Sequence, residues 1–169
     1  MQLPDWKPER SPCSKAAAVA AVCALAGACL APFEGRVLHT YPDPVYHWQL
    51  PTACDGHTGP ELRQGQTFTN VQCDEMRAAD LTKTYEAMAP CFGSVAISDE
   101  EWAAYLSLAY NVGPQAICRS SIPRKVHAGQ RIQACDTILE FNRAGGQVLA
   151  GLVRRRAAEN ALCLKGLRK

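Results

Sequence analysis

The first pattern along the chain is an apolar stretch with no polar interruption. From Ala16 to Phe33 it reads AAAVAAVCALAGACLAPF, without a charge. Crossing a bilayer takes about 20 apolar residues, so this stretch is just long enough. Alanine dominates it, and no run of Leu or Ile occurs. The pattern changes at Arg36. Residues 36–68 are rich in Pro, Gly, Thr and aromatics and hold few helix-length apolar repeats, which predicts short strands and turns. At Thr69 it changes again. Thr69 and Gln72 form a T-x-x-Q capping box, and VQCDEMRAADLTKTYEAM continues a helix to about Met88. Ser98 and Glu101 form a second box. It opens EEWAAYLSLAYNV, which Gly113 and Pro114 close, with Trp102, Leu106, Ala109 and Tyr110 on one face. Two further helices are expected over 121–128 and 131–142, separated by Gly129 and stopped by Gly145-Gly146. A last helix is expected over about 148–164, with apolar Leu149, Leu152, Leu162 and Cys163 and a basic outer face. One helical segment, a small β region and a run of helices make an α+β arrangement. A cleft between the β lobe and the helical lobe is the natural ligand site.

Composition narrows the picture. The 169 residues suffice for one domain. A formal net charge of +2 does not point to nucleic acid as the target. Arg154, Arg155, Arg156, Lys165, Arg168 and Lys169 crowd the end, as a solvated helix face or as a face for a polyanionic polymer such as a cell wall. Nine cysteines point to an oxidising compartment, the periplasm among them. No C-x-x-C pair occurs, which argues against a zinc ribbon. The six cysteines after residue 50 allow fifteen pairings, and one of the nine stays unpaired within the chain. Lys7, Arg10 and Lys15 precede the apolar segment like the basic flank of an export signal. The segment has three possible fates: cleavage after Ala26-Gly27-Ala28, stable anchoring, or arrest and later release. Composition alone favours cleavage.

The chemistry concentrates between Phe33 and Gly59, where Asp43 follows Glu34 by nine residues and Thr52 follows Asp43 by nine. Cutting a glycosidic bond takes two carboxyl groups, one protonated and one ionised. Glu34 follows an apolar segment, and apolar packing would let it keep a proton near neutral pH. Asp43, between Pro42 and Pro44, belongs in a turn, solvated and ionised. The Thr52 hydroxyl could fix a water. With sixteen carboxylates in the chain, spacing alone also fits a helix-end glutamate and a turn-forming aspartate. Two other readings start from the same residues. Cys54-x-x-His57 with His39 and His47 could form a zinc-binding secreted module. A non-catalytic peptidoglycan-binding module would need the cleft and not Glu34. His57 is otherwise explained as a structural tie for the β region.

The words around these residues carry more. Glu34-Gly35, Tyr41-x-Asp43 and Thr52-x-x-x-Gly56-His57-Thr58-Gly59 resemble the phage lysozyme family, especially its lambdoid signal-arrest-release endolysin branch. Gly65-Gln66-Thr67-Phe68-Thr69 with Cys73, then Ala109-Tyr110-Asn111-Val112-Gly113, continue the likeness in order. Ala134-Cys135-Asp136, Arg143-Ala144-Gly145-Gly146 and Gly151 through Glu159 complete it, so that it covers residues from about 33 to 166. The resemblance implies a lysozyme-like fold, with a small β-hairpin lobe beside a mainly helical one. It implies a muramidase cutting the β-1,4 bond between N-acetylmuramic acid and N-acetylglucosamine of peptidoglycan, leading to host cell lysis. Glu34 would be the general acid and Asp43 and Thr52 the water-activating pair, with inversion and carboxyls roughly 6.5–9.5 Å apart. Arg154 would pair with Glu34. No metal or organic cofactor is implied.

The chain departs from the family pattern by a loop three residues longer, in VYHWQLP between Asp43 and Thr52. The longer loop places Tyr46 and Trp48 either against sugar or in the hairpin. Asp55 stands where the family often has an aromatic or His, either near enough to perturb the acid or facing solvent. The branch implies a cytoplasmic flank over residues 1–15, a signal-arrest-release segment over 16–33 and a catalytic domain over 34–169. The chain would then be exported to the periplasm of a Gram-negative host, tethered transiently to the inner membrane, and active once residues 16–33 fold against the body. Some relatives cage a cysteine near the site. Here Cys54 is either in a permanent bridge or buried, or it exchanges with Cys23 or Cys29.

Overall fold

The computed structural model describes residues 12–44 and 46–168, with side chains from Ala16 onward. The expected basic flank over residues 1–15 lies outside those side chains. Helix α1 spans Pro12–Leu30 and ends in a short 3-10 turn, Ala31–Phe33. Its apolar character runs all round, yet only one face is buried: Val22, Cys23, Ala26 and Leu30, at helical spacing, join the main core. Ala17, Ala20, Ala21, Ala24 and Ala28 face outward. Leu25 apart, which is exposed too, this outer face is mostly single methyls that show little apolar area per residue. Ala16–Phe33 is nonetheless long and apolar enough to cross a membrane. One sequence therefore suits both environments.

The β lobe follows. Strands β1 (Val37–Asp43), β2 (His47–Cys54) and β3 (His57–Thr58) form an antiparallel sheet in that order. Tyr41 pairs with Thr52 and Pro42 with Pro51, but Asp43 pairs with His47. The three residues skipped, Trp48, Gln49 and Leu50, are the excess noted in the sequence, and the sheet absorbs them as an irregularity in β2. Tyr46 and Trp48 stay exposed beside it, at 60% and 40%.

Helices α2 (Asn70–Met88) and α3 (Asp99–Val112) begin where the capping boxes predict. In each, the Ser or Thr hydroxyl accepts from the backbone of the third residue and that residue's side chain reciprocates. The single apolar face expected for α3 is too modest. Every residue from Ala103 to Ala109 is buried, because α3 is the axis of the helical lobe with α1 and α7 packed on it. Phe92, Tyr105 and Trp102 form an aromatic cluster at its side, with centroids 4.9 Å (Phe92 to Trp102) and 5.5 Å (Phe92 to Tyr105) apart.

The later elements differ in detail from expectation. A short helix α4 (Pro114–Arg119) follows Gly113 directly, and α5 covers Ile122–His127. The helix expected over 131–142 is α6 (Arg131–Thr137) plus a 3-10 turn, Ile138–Glu140. Gly145-Gly146 does not merely stop a helix. With φ of +56° and +78° these glycines make the two-residue turn of a hairpin, β4 (Arg143–Ala144) with β5 (Gln147–Val148). Helix α7 (Ala150–Gly166) closes the chain.

Among the described residues three disulfides tie these elements: Cys54–Cys73 joins β2 to α2, Cys91–Cys118 joins the 3-10 turn after α2 to α4, and Cys135–Cys163 joins α6 to α7. Cys23 and Cys29, both on α1, are free thiols.

Candidate active site

Glu34 stands at the bend after the 3-10 turn, where buried Leu30 anchors the end of α1. Its carboxylate accepts a 2.6 Å bond from Arg155 Nη1 on α7. The sequence pointed to Arg154, but Arg154 is exposed, while Arg155, Arg156 and Glu159 form the inward face of α7. One residue along a helix is about 100° of rotation, which is enough to take Arg154 out of reach. Glu34 is therefore ion-paired, not packed solely against apolar groups as its sequence neighbours suggested.

Arg155 is itself fixed from three sides. It donates to Glu34, to Glu159 Oε1 at 3.2 Å and to the Ser107 carbonyl at 3.3 Å. Glu159 also accepts from the Ser107 hydroxyl at 2.8 Å and pairs with Arg156 at 2.9 Å. Arg156 donates to Asn111 at 2.5 Å. Burial pushes the Glu159 carboxyl up from its ordinary range, and the two arginines and Ser107 oppose that push. This buried network holds the partner of Glu34 in one geometry. An open pocket of about 500 Å³ lies in front of it, lined by Phe33, Glu34, Asn111, Leu152, Arg154 and Arg155 among others.

The hairpin of β1 and β2 lies near enough for Tyr41 to feel the charge of Glu34. Tyr41 and Asp43, two apart on β1, project to one face of the sheet, and Thr52 lies opposite Tyr41 on β2. Asp43 Oδ1 accepts the backbone N–H of Tyr46 at 2.8 Å, which fixes the end of β1. Thr52 is buried, and its hydroxyl donates a long 3.4 Å bond to the Leu50 carbonyl. The Tyr41 phenol is pushed up by burial first, then by the charges of Glu34, Asp43 and Asp55, so it feels both candidate carboxylates at once. Burial likewise pushes up Tyr110, with Asp80, Glu34 and Asp55 adding to it. In the sequence Tyr41 was visible only as part of a motif word, and Tyr110 as part of one and of the α3 face. Their place near Glu34 comes from the β1 register and from α3.

Asp55 neither faces solvent nor points at Glu34. It is 3% exposed and bound by Arg36 and Arg77. Cys54 is in a disulfide, and the two nitrogens of His57 meet Asp80 and Glu61, so the proposed Cys-x-x-His zinc pair has no free thiol. His57 does tie the β region, to α2.

A small antiparallel β lobe beside a larger helical lobe, with an ion-paired glutamate just before the first strand, is the architecture of a lysozyme-type glycoside hydrolase. The chain belongs to the phage lysozyme family, whose model matches residues 31–159. Among curated relatives it is 35% identical to the SAR-endolysin of Enterobacteria phage P21 over 133 residues, 79% of this chain and 78% of that one. Among solved structures, phage P22 lysozyme superposes with a TM-score of 0.73 at 28% identity, covering 82% of this chain and 94% of that one. The muramidase domain of SpmX from Asticaccaulis excentricus gives 0.71 at 27% identity, over 85% and 95%. The apolar N-terminal helix and the SAR-endolysin relatives are together consistent with membrane-tethered export.

Proposed function

We propose that this chain is an endolysin that cuts the β-1,4 bond between N-acetylmuramic acid and N-acetylglucosamine in peptidoglycan, with Glu34 as general acid. Glu34 protonates the leaving oxygen, while Asp43 orients and deprotonates a water on the opposite face of the sugar and Thr52 fixes that water with its hydroxyl. The observation that carries the reading is Glu34, held by Arg155 at the edge of the pocket, with Tyr41 of the hairpin that bears Asp43 and Thr52 under the charges of both Glu34 and Asp43.

Residues 16–33 serve as the export segment of a signal-arrest-release enzyme, and residues 34–169 as the catalytic domain. While the segment lies in the inner membrane of a Gram-negative host, Glu34 is held at the membrane surface, away from the hairpin. Release to the periplasm lets α1 dock through Val22, Cys23, Ala26 and Leu30, the contacts described above. The test is turbidity loss of outer-membrane-permeabilised Gram-negative cells with the full chain and with Glu34→Gln. Clearing by the parent chain alone supports the reading. Equal clearing by both removes Glu34 from the acid's role.

A further inference from the structure

Arg36 lies two residues beyond Glu34 and plays no part in the site just described. Its guanidinium grips Asp55 with two teeth, Nε to Oδ1 at 2.9 Å and Nη2 to Oδ2 at 2.6 Å. Nη2 also reaches Asp74 at 2.8 Å, and Nη1 reaches Asn70 Oδ1 at 3.3 Å. Arg77 joins the same two carboxylates, Asp55 at 3.2 Å and Asp74 at 2.8 Å. The cradle has a covalent basis. Asp55 and Asp74 each directly follow one half of the Cys54–Cys73 disulfide, so that bond sets the two acids side by side. A bidentate arginine–carboxylate pair with the carboxylate buried fixes orientation as well as distance.

The connector from Glu34 to Arg36 lies between the 3-10 turn ending at Phe33 and strand β1 starting at Val37, outside any regular element. Gly35, between them, has no heavy atom within 4 Å of where a Cβ would stand, so packing does not hold the connector there. It is held at its two ends: Glu34 by Arg155 of α7, and Arg36 by the cradle of β2 and α2. The cradle also borders the docked export helix, since a Cβ on Gly27 of α1 would stand 3.6 Å from Arg77 Nε.

We propose that Arg36 is a positioning residue for Glu34: seated in the Asp55–Asp74 cradle, it fixes the connector so that the docking of α1 delivers the acid to the cleft in one geometry. The proposal rests on the reading of Glu34 as the acid. Without Arg36 the connector would be held at its Glu34 end only, by Arg155 and the end of α1, and its backbone would shift the carboxyl away from the glycosidic oxygen. A displacement on the order of 1 Å can cost about 100-fold in rate.

The test uses the full chain with its disulfides intact, assayed for initial rates across a range of purified peptidoglycan concentrations. Arg36→Leu lowers kcat by roughly 10- to 100-fold with KM little changed, and Arg36→Lys restores part of it. Asp55→Asn, which keeps the shape of the acceptor and removes its charge, gives a smaller loss of the same kind. Labelling of Cys23 by a thiol reagent, mapped by peptide mass, reports whether α1 stays docked. The proposal requires Cys23 to stay as protected as in the parent chain. An unchanged kcat overturns it. So does a loss of kcat that tracks Cys23 exposure, or failure of both Arg36→Leu and Asp55→Asn to fold, since Arg36 would then be only a stability residue. Glu34→Gln runs in parallel. An active Glu34→Gln overturns the function proposed above, whereas an inactive one beside a normal Arg36→Leu overturns this inference alone.

Discussion

Replacing Asp80 by Asn tests how the β lobe is fastened to α2, and the effect depends on pH in a defined direction. The His57 ring is 5% exposed, with Nδ1 2.7 Å from Asp80 and Nε2 2.6 Å from Glu61. A neutral imidazole donates from one nitrogen only, so meeting two carboxylates favours the doubly protonated cation. Burial of the ring opposes that charge, but the bonds to Glu61 and Asp80 outweigh it, and the His57 pKa lies above its ordinary value of 6.5. A raised histidine pKa contributes stability that is complete below 6.5 and is lost as pH rises through the folded value. The Glu61 carboxyl is held below its ordinary 4.5 by His57, so its share is complete above 4.5 and is lost as pH falls through its folded value. The network is therefore whole between those two bounds.

Asp80 is 20% exposed and Glu61 55%, so Asp80 carries most of the effect. A hydrogen bond to a charged group contributes about 1.5–3 kcal/mol, and an exposed pair about 0.2–1 kcal/mol. Asp80→Asn should thus cost about 2 kcal/mol near pH 5.5. For a domain of this size that lowers Tm by about 4–8 °C. The assay is thermal unfolding of parent and variant in steps from pH 5 to pH 9.5. The difference in Tm should shrink as pH rises and His57 loses its proton in the folded parent. A difference that stays constant over that range, or is absent at pH 5.5, would refute the charged-histidine tie.

Four further outcomes are expected. Glu34→Gln should reduce turnover by about 100-fold or more while leaving far-UV circular dichroism unchanged, as for loss of a general acid. Arg155→Met leaves Glu34 unpaired and removes one of the two arginines on buried Glu159, so it should cost about 3–5 kcal/mol in denaturant unfolding and abolish clearing. Thr52→Val should lower kcat by about tenfold or more with little change in Tm, because the hydroxyl makes only one long bond in the fold. Replacing Cys135 and Cys163 together by Ser opens a link across 28 residues and should cost about 3.5 kcal/mol, seen as a lower midpoint in guanidinium.

What the sequence by itself determined is what short-range chemistry decides. Both capping boxes act within three residues, so T-x-x-Q and S-x-x-E marked the starts of α2 and α3. The uncharged alanine-rich run marked α1 because length and composition alone set its fitness for a membrane. The words around Glu34, Asp43 and Thr52 marked the candidate site because their order along the chain is conspicuous even unfolded. The tertiary structure decided everything that joins distant residues. Which of the fifteen cysteine pairings forms depends on which Cα atoms the helices bring within 5.2–5.6 Å. Arg155 rather than Arg154 meets Glu34 because the rotation of α7 is set by its packing on α3. Asp55 is buried against Arg36 because a disulfide 19 residues wide places β2 beside α2. Trp48, Gln49 and Leu50 have no partner on β1 because Asp43 pairs with His47, a register no local signal announces. Except in that hairpin end, the deciding energy is a contact between residues far apart in the chain, and a pattern read along the chain carries no record of it.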